Sequence, residues 1–287
     1  MSWILAGFLM FISSVVTYLL VRAASVRNMS GSLQNVAMFL VPLFVFIPLA
    51  ISSGAGLSVS LYEFGLLLLS AVLFSYFGSK WSVISIRYAP NPGYSLILSK
   101  SYVVFTTFVA VAVFHSEITL QAILAIVLII GFSALILIDR KKTHVSGVRP
   151  VWLAYAMGAF FCWGMLAIMS KYLLDIGVPI YTRLVYVIGI ACVLFLRDSR
   201  KEIKALSAFG GTDWAIFIGM GLFSGAFNYF TQLGYLYAPN VGYINALNAA
   251  SIALVTIGAT ILFHDEFSWR KFIGVVGVIV GLILLVL

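Results

Sequence analysis

Apolar residues along this chain come in runs near the twenty-residue length of a bilayer crossing, broken by short polar or proline-containing stretches. In the first half the runs cover about 3–22, 33–52, 62–86, 92–114 and 119–138, and in the second about 151–173, 179–196, 212–236, 241–263 and 268–287. The connections between them rarely exceed about ten residues, as for helices packed as hairpins. The breakers fall at these cuts. Asn91-Pro92 reads as a cap followed by a first-turn proline, Asn240 caps the corresponding run after Pro239, and His115-Ser116-Glu117 and His264-Asp265-Glu266 read as tight turns. The pattern predicts an all-α polytopic membrane protein with ten transmembrane helices.

The two halves are copies of one unit. Tyr-Ala-Pro-Asn-x-Gly-Tyr occurs at Tyr88 to Tyr94 and again at Tyr237 to Tyr243, a displacement of 149 residues. The same displacement carries Trp3 onto Trp152, Arg22 onto Lys171, Phe74-Ser75 onto Phe223-Ser224, and Phe114-His115-x-Glu117 onto Phe263-His264-x-Glu266, without a gap. A period that long describes a whole domain repeated once, not a solenoid. We therefore expect five-helix repeats over residues 1–142 and 150–287. Five is an odd number, so the second copy enters the membrane from the opposite side, as two inverted repeats about an in-plane pseudo-twofold axis.

Composition sharpens the class: 63% hydrophobic and 9% charged residues, with a mean hydropathy of +1.12, lie far from the make-up of soluble domains. The net charge of +8 does not point to nucleic acid, because the basic residues gather in short connections between apolar runs. Arg22, Arg27, Arg87, Arg140, Lys141, Lys142, Arg149, Arg197, Arg200, Lys201, Lys204, Arg270 and Lys271 fall on odd-numbered connections, with Lys171 and Arg183 beside the sixth-to-seventh connection the exceptions, which places both termini on the non-cytoplasmic side of the cell membrane. On this topology the sequon Asn28-Met29-Ser30 faces the cytoplasm and is silent. The first run has no basic residue before it and is too long for a signal-peptide core, so it reads as a mature helix. Cys162 and Cys192 sit inside apolar runs and read as small core residues.

Polar side chains within spans need a wet or paired location, so they are the candidates for a path. Lys80 falls in the third span, Ser99 and Lys100 in the fourth, Lys171 in the sixth, Asn228, Tyr229 and Gln232 in the eighth, and Asn245 and Asn248 in the ninth. Asn228 and Gln232, four apart, share a helix face, as do Asn245 and Asn248, three apart. Ser99 stands opposite Asn248 in the repeat. Two readings stand for each amide, cavity lining or a bridge between helices. A cavity would be lined by the third, fourth, eighth and ninth helices, with the first and sixth beside them. Lys100, with Lys80, is expected to face it and attract a carboxylate or other anionic group of the substrate, whereas Arg22, Arg87, Lys171 and Arg183 lie within snorkelling reach of a helix end. Glu117 and Glu266 read as first-turn carboxylates that offset a helix dipole, and no acidic residue lies mid-span to carry protons. His115 and His264 read as turn residues capping carbonyls. Gly221 with Gly225 and Gly277 with Gly281 permit close helix approach, the first pair as a sliding surface, the second as packing or the seam of a homodimer.

In the second half the first helix carries Trp163-Gly164 and then Lys171, the next begins with Arg183, the third ends Gly234-Tyr235-x-Tyr237-Ala238, and Glu266 precedes Gly274. This resembles the EamA-type branch of the drug/metabolite transporter superfamily over nearly the whole chain. The first copy departs from the pattern, with Ser14-Val15 in place of the tryptophan-glycine pair and Arg22 in place of the lysine. The resemblance implies a ten-helix secondary transporter, commonly an exporter or exchanger of amino acids and related metabolites, and makes Trp163 a cavity wall with room left by Gly164. The expected function is movement of a small polar or amphipathic metabolite by alternating access. A multidrug exporter or a nucleotide-sugar or phosphorylated-metabolite exchanger is the alternative within transport. A membrane-embedded enzyme would need a metal cluster, a nucleophile set or paired mid-span carboxylates, and a channel does not require the duplication. No catalytic residue, metal site or cofactor is expected; the partners are the substrate, the bilayer and a second copy of the chain.

Overall fold

The computed structural model describes residues 2–54, 56–88, 95, 98–137, 151–264 and 268–286, and the regular elements among them are helical. In chain order they are α1 (Trp3–Val26), α2 (Gly31–Ser52), α3 (residues 61–88), α4 (Tyr102–Phe114), α5 (Leu120–Leu137), α6 (Val151–Asp175), α7 (Ile180–Asp198), α8 (Gly211–Tyr237), α9 (Val241–Phe263) and α10 (Trp269–Val286). A 3-10 turn, Ile203–Ala208, joins α7 to α8. α1, α2, α3, α6, α7, α9 and α10 are long and apolar enough to cross a membrane, and residues 98–114 and 120–136 form shorter apolar helices. α8 spans 27 residues, roughly 40 Å of rise, with its apolar character diluted by Asn228, Thr231 and Gln232.

Local chemistry sets the ends. The side-chain oxygens of Ser2, Ser30, Ser60, Thr119, Asn240 and Ser268 accept first-turn backbone N–H groups, and Glu63 completes a capping box by accepting from the Ser60 N–H at 2.6 Å. Thr119, not Glu117, caps α5; Glu117 lies outside the first turn and is exposed, which removes its expected dipole role. His115 and His264 end α4 and α9 in the left-handed region, with φ of 52° and 54°, and their backbone N–H groups bond Ala110 and Ala259 carbonyls. They therefore act through the backbone, and they stand 149 residues apart. Glu266 and Asn91-Pro92 fall outside the described residues.

The helix pairings come in exchanged sets. α1 packs on α8 and α3 on α6; α2 on α8 and α3 on α7; α1 on α9 and α4 on α6; α2–α7, α4–α9 and α5–α10 pair helices that correspond at the 149-residue displacement. Side chains tie the connections at each end. At one end Arg27 bonds Asp213 at 2.5 Å, Ser30 bonds Glu202, and Lys80 bonds Asp198 at 2.8 Å. At the other, Thr182 donates to the Gly56 carbonyl at 2.8 Å, Tyr186 to the Leu57 carbonyl at 2.8 Å, and the Tyr62 and Tyr172 hydroxyls meet at 3.0 Å. So α3 begins where α6 ends, while α8 begins where α1 ends.

Glycines set the closest approaches. A Cβ on Gly221 would meet Val41 Cβ at 2.3 Å and the Ala37 carbonyl at 2.6 Å, and Gly225 faces Pro42, so this pair seats α8 on α2. Gly277 and Gly281 face Phe132 and Ile129, so the small-residue stripe of α10 is filled by α5 of the same chain. Cys162 and Cys192 are buried and free. Within α3 the stretch Ser70–Tyr76 is π-helical, where Cys162 Sγ reaches the Leu73 carbonyl at 3.3 Å.

Candidate functional site: a polar cavity between the halves

A cavity of about 350 Å³ lies between α1 to α4 and α6 to α9, while α5 and α10 pack against each other outside its lining. Ser75, within the π-helical turn of α3, and Ser79 and Ser82 beyond it line this space together with Asn228 and Gln232 of α8. Asn245 and Asn248 of α9 line it as well, so both amide pairs share the face their spacing suggests. Aromatic walls come from Phe39, Trp163 and Phe227. The space beside Trp163 is not open, however, because a Cβ on Gly164 would meet the Phe105 ring at 2.5 Å; α4 fills the room the glycine leaves.

The lining grades from exposed to buried along the bundle. Tyr18 and Val83 are 41% and 53% exposed, whereas Arg183 and Tyr235 at the other end are 2% and 5% exposed. The buried end is held by a chain of hydrogen bonds. Tyr235 donates to Asn245 Oδ1 at 2.7 Å, Asn245 Nδ2 donates to Thr106 at 2.9 Å, and Arg183 donates to the Ser170 hydroxyl. Midway, Ser14 donates to Asn248 Oδ1 at 3.2 Å, and Tyr102 bonds the same amide. Asn245 therefore does both jobs weighed for it, facing the cavity and bridging helices.

Arg183 departs from expectation. A position one turn into α7 lies within snorkelling reach of the membrane surface, yet its guanidinium points inward and is buried. Lys100 faces the cavity with its Nζ over the Tyr18 ring, 5.0 Å from the centroid. Lys80 does not: it pairs with Asp198 at 2.8 Å and Tyr76 at 2.9 Å toward the exposed end of α3, outside the cavity lining. Lys171 pairs with Asp175 at 2.6 Å, one turn on in α6, and Tyr229 stacks on Tyr181 with ring centroids 5.5 Å apart. Neither lines the cavity. The structure thus gathers Ser99, Lys100, Trp163, Asn228, Gln232, Asn245 and Asn248 around one space and leaves Lys80, Lys171 and Tyr229 away from it. Helices α2 and α7, absent from the expected lining, contribute Asn35 and Arg183. Ser14 and Tyr235, noted in the sequence only as a departure and a family motif, belong to the site. Tyr18, Tyr102 and Ser170 carried no signal there, because a hydroxyl in an apolar run is also at home packed against lipid or backbone.

Among the described lining residues, charge is of one sign. Among the described residues the carboxylates are engaged elsewhere or exposed: Asp175 with Lys171, Asp198 with Lys80, Asp213 with Arg27, Glu63 and Glu202 with Ser60 and Ser30, and Glu117 in the α4–α5 turn. None of them lines the cavity, whereas Lys100 and Arg183 do. Among those residues no group of three or more side chains is placed to hold a metal.

Comparison with known proteins agrees with this architecture. The EamA-like transporter family matches residues 150–287. An uncharacterized transporter of Archaeoglobus fulgidus is 23% identical over 269 residues, covering 91% of this chain and 90% of that protein. A crystal structure of a protein that is 13% identical superposes with a TM-score of 0.76, covering 98% of this chain and 96% of the other; at that identity the likeness is one of fold.

Proposed function

We propose that this chain, a member of the drug/metabolite transporter superfamily, is a secondary transporter that moves a small polar or amphipathic metabolite by alternating access between two inverted five-helix repeats. The observation that carries this reading is the polar cavity enclosed between the two halves, lined by helices of both and graded from exposed to buried. The opposed senses of α3 and α8, which correspond at the 149-residue displacement, support the inversion, as do the exchanged pairings α1–α8 and α3–α6. Ten spans follow if residues 98–114 and 120–136 and α8 cross with the seven longer apolar helices.

In this mechanism the substrate enters at the Tyr18–Val83 end and binds against the amides of α8 and α9. The hydrogen bonds joining Tyr235, Asn245 and Thr106 close the far end and break when the repeats exchange conformations. Gly221 and Gly225 let α8 move over α2 at close range. The metabolite is an amino acid or a related compound, and its movement is export or exchange. The protein resides in the cell membrane with both termini outside the cytoplasm.

Reconstitution tests the carrier reading. Saturable counterflow of a labelled metabolite into proteoliposomes supports it; ion conductance without saturation, or product formation, removes it. For the orientation, a terminal reporter fusion active only outside the cytoplasm agrees and one active only inside overturns it.

A further inference from the structure

Among the described residues, three of the buried side-chain atoms without a hydrogen-bond partner belong to the cavity: Lys100 Nζ, Arg183 Nε and Gln232 Oε1. Two of the three belong to cations. A buried charge is tolerated when an opposite charge or several hydrogen bonds compensate its lost hydration. Here Arg183 has the Ser170 hydroxyl and Lys100 has the face of Tyr18, and neither partner is an anion. Among the described residues the carboxylates lie toward the ends of the bundle, paired or exposed. The compensation these two cations lack is a negative charge, and the space in front of them is the cavity.

The duplication gives an independent argument. Features that hold the bundle recur at the 149-residue displacement, as the left-handed histidines at 115 and 264 do. The cavity cations do not recur. Arg183 corresponds to Gln34, whose amide donates to the Met29 carbonyl at 2.9 Å and to Ser25 at 3.2 Å and so secures the α1–α2 turn. Lys100 corresponds to Ala249, a buried small residue of α9. A position that the fold fills with a turn-holding amide or a methyl group in one half therefore carries a cavity-facing cation in the other. Packing needs are met without either charge.

We propose that the cavity binds a small organic anion, a carboxylate or a phosphate monoester, whose acidic oxygens accept from Arg183 at the buried end and are drawn in by Lys100 beside Tyr18. Gln232 Oε1 receives a hydroxyl or N–H donor on the same ligand. The planar guanidinium suits the two-oxygen edge of either acid, and Lys100 supplies field near the exposed end. A zwitterion is disfavoured because its ammonium meets two cations and, among the described lining residues, no carboxylate, which narrows the amino-acid-related class of the proposed function to its acids without a free ammonium. The inference names the substrate class for the carrier reading and rests on it for movement, though not for binding.

The test uses the full-length protein purified in detergent at constant ionic strength. Thermal unfolding is followed with succinate, benzoate and glycerol 3-phosphate against the uncharged succinamide, benzamide and glycerol, and against zwitterionic phenylalanine. We expect at least one anion to raise the midpoint while its uncharged counterpart does not, with the carboxylate and phosphate arms telling the two sources apart. In Lys100→Gln the anion concentration needed for half the effect rises at least tenfold. Arg183→Gln behaves likewise; should it fail to fold, Lys100→Gln, which disturbs no hydrogen bond, decides alone. The proposal falls if no anion in the set raises the midpoint, if uncharged or zwitterionic compounds raise it equally, or if Lys100→Gln leaves the half-effect concentration unchanged. Counterflow in proteoliposomes separates the two claims. Anion binding without saturable counterflow keeps the anion site and removes the carrier, whereas saturable counterflow of phenylalanine without any anion effect does the reverse.

Discussion

Replacing Gly221 by alanine tests whether backbone proximity of α2 and α8 holds the cavity walls together. The new Cβ would stand 2.3 Å from Val41 Cβ and 2.6 Å from the Ala37 carbonyl oxygen. Both distances lie about 1 Å or more inside the 3.5–4.0 Å optimum for non-bonded atoms. Neither neighbour is the far end of a flexible side chain, so relief requires the two helices to part. Overpacking of this kind costs about 1–3 kcal/mol, and contact with backbone puts this site toward the upper figure. Removing a glycine from a helix interior returns up to about 1 kcal/mol, leaving a net loss near 2 kcal/mol. For a protein of this size that is a fall in midpoint of roughly 4–8 °C. The control is Gly65→Ala on the exposed face of α3, where a Cβ meets nothing within 4 Å and the same propensity gain acts alone. Heat unfolding of both variants in one detergent, followed by near-ultraviolet circular dichroism, gives the comparison. If Gly221→Ala melts at or above the wild type, the contact is not the constraint described, and α2 and α8 are held by something else.

Tyr235→Phe removes a buried hydroxyl that donates to Asn245 Oδ1 at 2.7 Å, and the stranded acceptor lowers stability by about 1–3 kcal/mol, read as a lower unfolding midpoint; an unchanged midpoint would mean water replaces the bond. Asn240→Ala deletes the α9 cap on the Gly242 N–H at 2.8 Å and costs about 0.5–2 kcal/mol by the same measurement. Lys80 and Asp198 form a pair with side chains 42% and 38% exposed, so a double-mutant cycle with alanine gives a coupling below about 1 kcal/mol. Because Lys80 lies outside the cavity, Lys80→Ala also leaves counterflow of the transported metabolite at the wild-type rate.

Much of the framework was legible because it depends on one-dimensional quantities. Run length against bilayer thickness sets each helix, and the observed α1, α2 and α9 fall within a few residues of the apolar runs. The π-helical turn in α3 left no mark, since α8 carries Phe223-Ser224 where α3 has Phe74-Ser75 and yet is α-helical there. What distinguishes the turn is its packing against α6, where Cys162 reaches the Leu73 carbonyl, a contact between segments far apart in the chain.

Side-chain direction divides the candidates in the same way. Spacing along α8 and α9 was enough to put Asn228 with Gln232 and Asn245 with Asn248, because a helix fixes which residues share a face. The three lysines could not be sorted in that manner. Distance from a helix end sets Lys171 apart but does not divide Lys80 from Lys100, and what separates those two is whether another segment brings a carboxylate. Asp198 comes to Lys80 from α7 and Asp175 to Lys171 from one turn away, while Tyr18, reaching Lys100 from α1, brings only a ring. Arg183 departs from its expected place for a related reason, since depth in a membrane can be counted from a helix end but orientation toward a cavity depends on the neighbours around it. Sequence alone determined the lengths of the apolar runs, where they break and that a motif recurs 149 residues on, all properties of a segment and its solvent. Which cations stay unneutralised was decided only by the fold, because neutralisation is a contact between residues far apart in the chain.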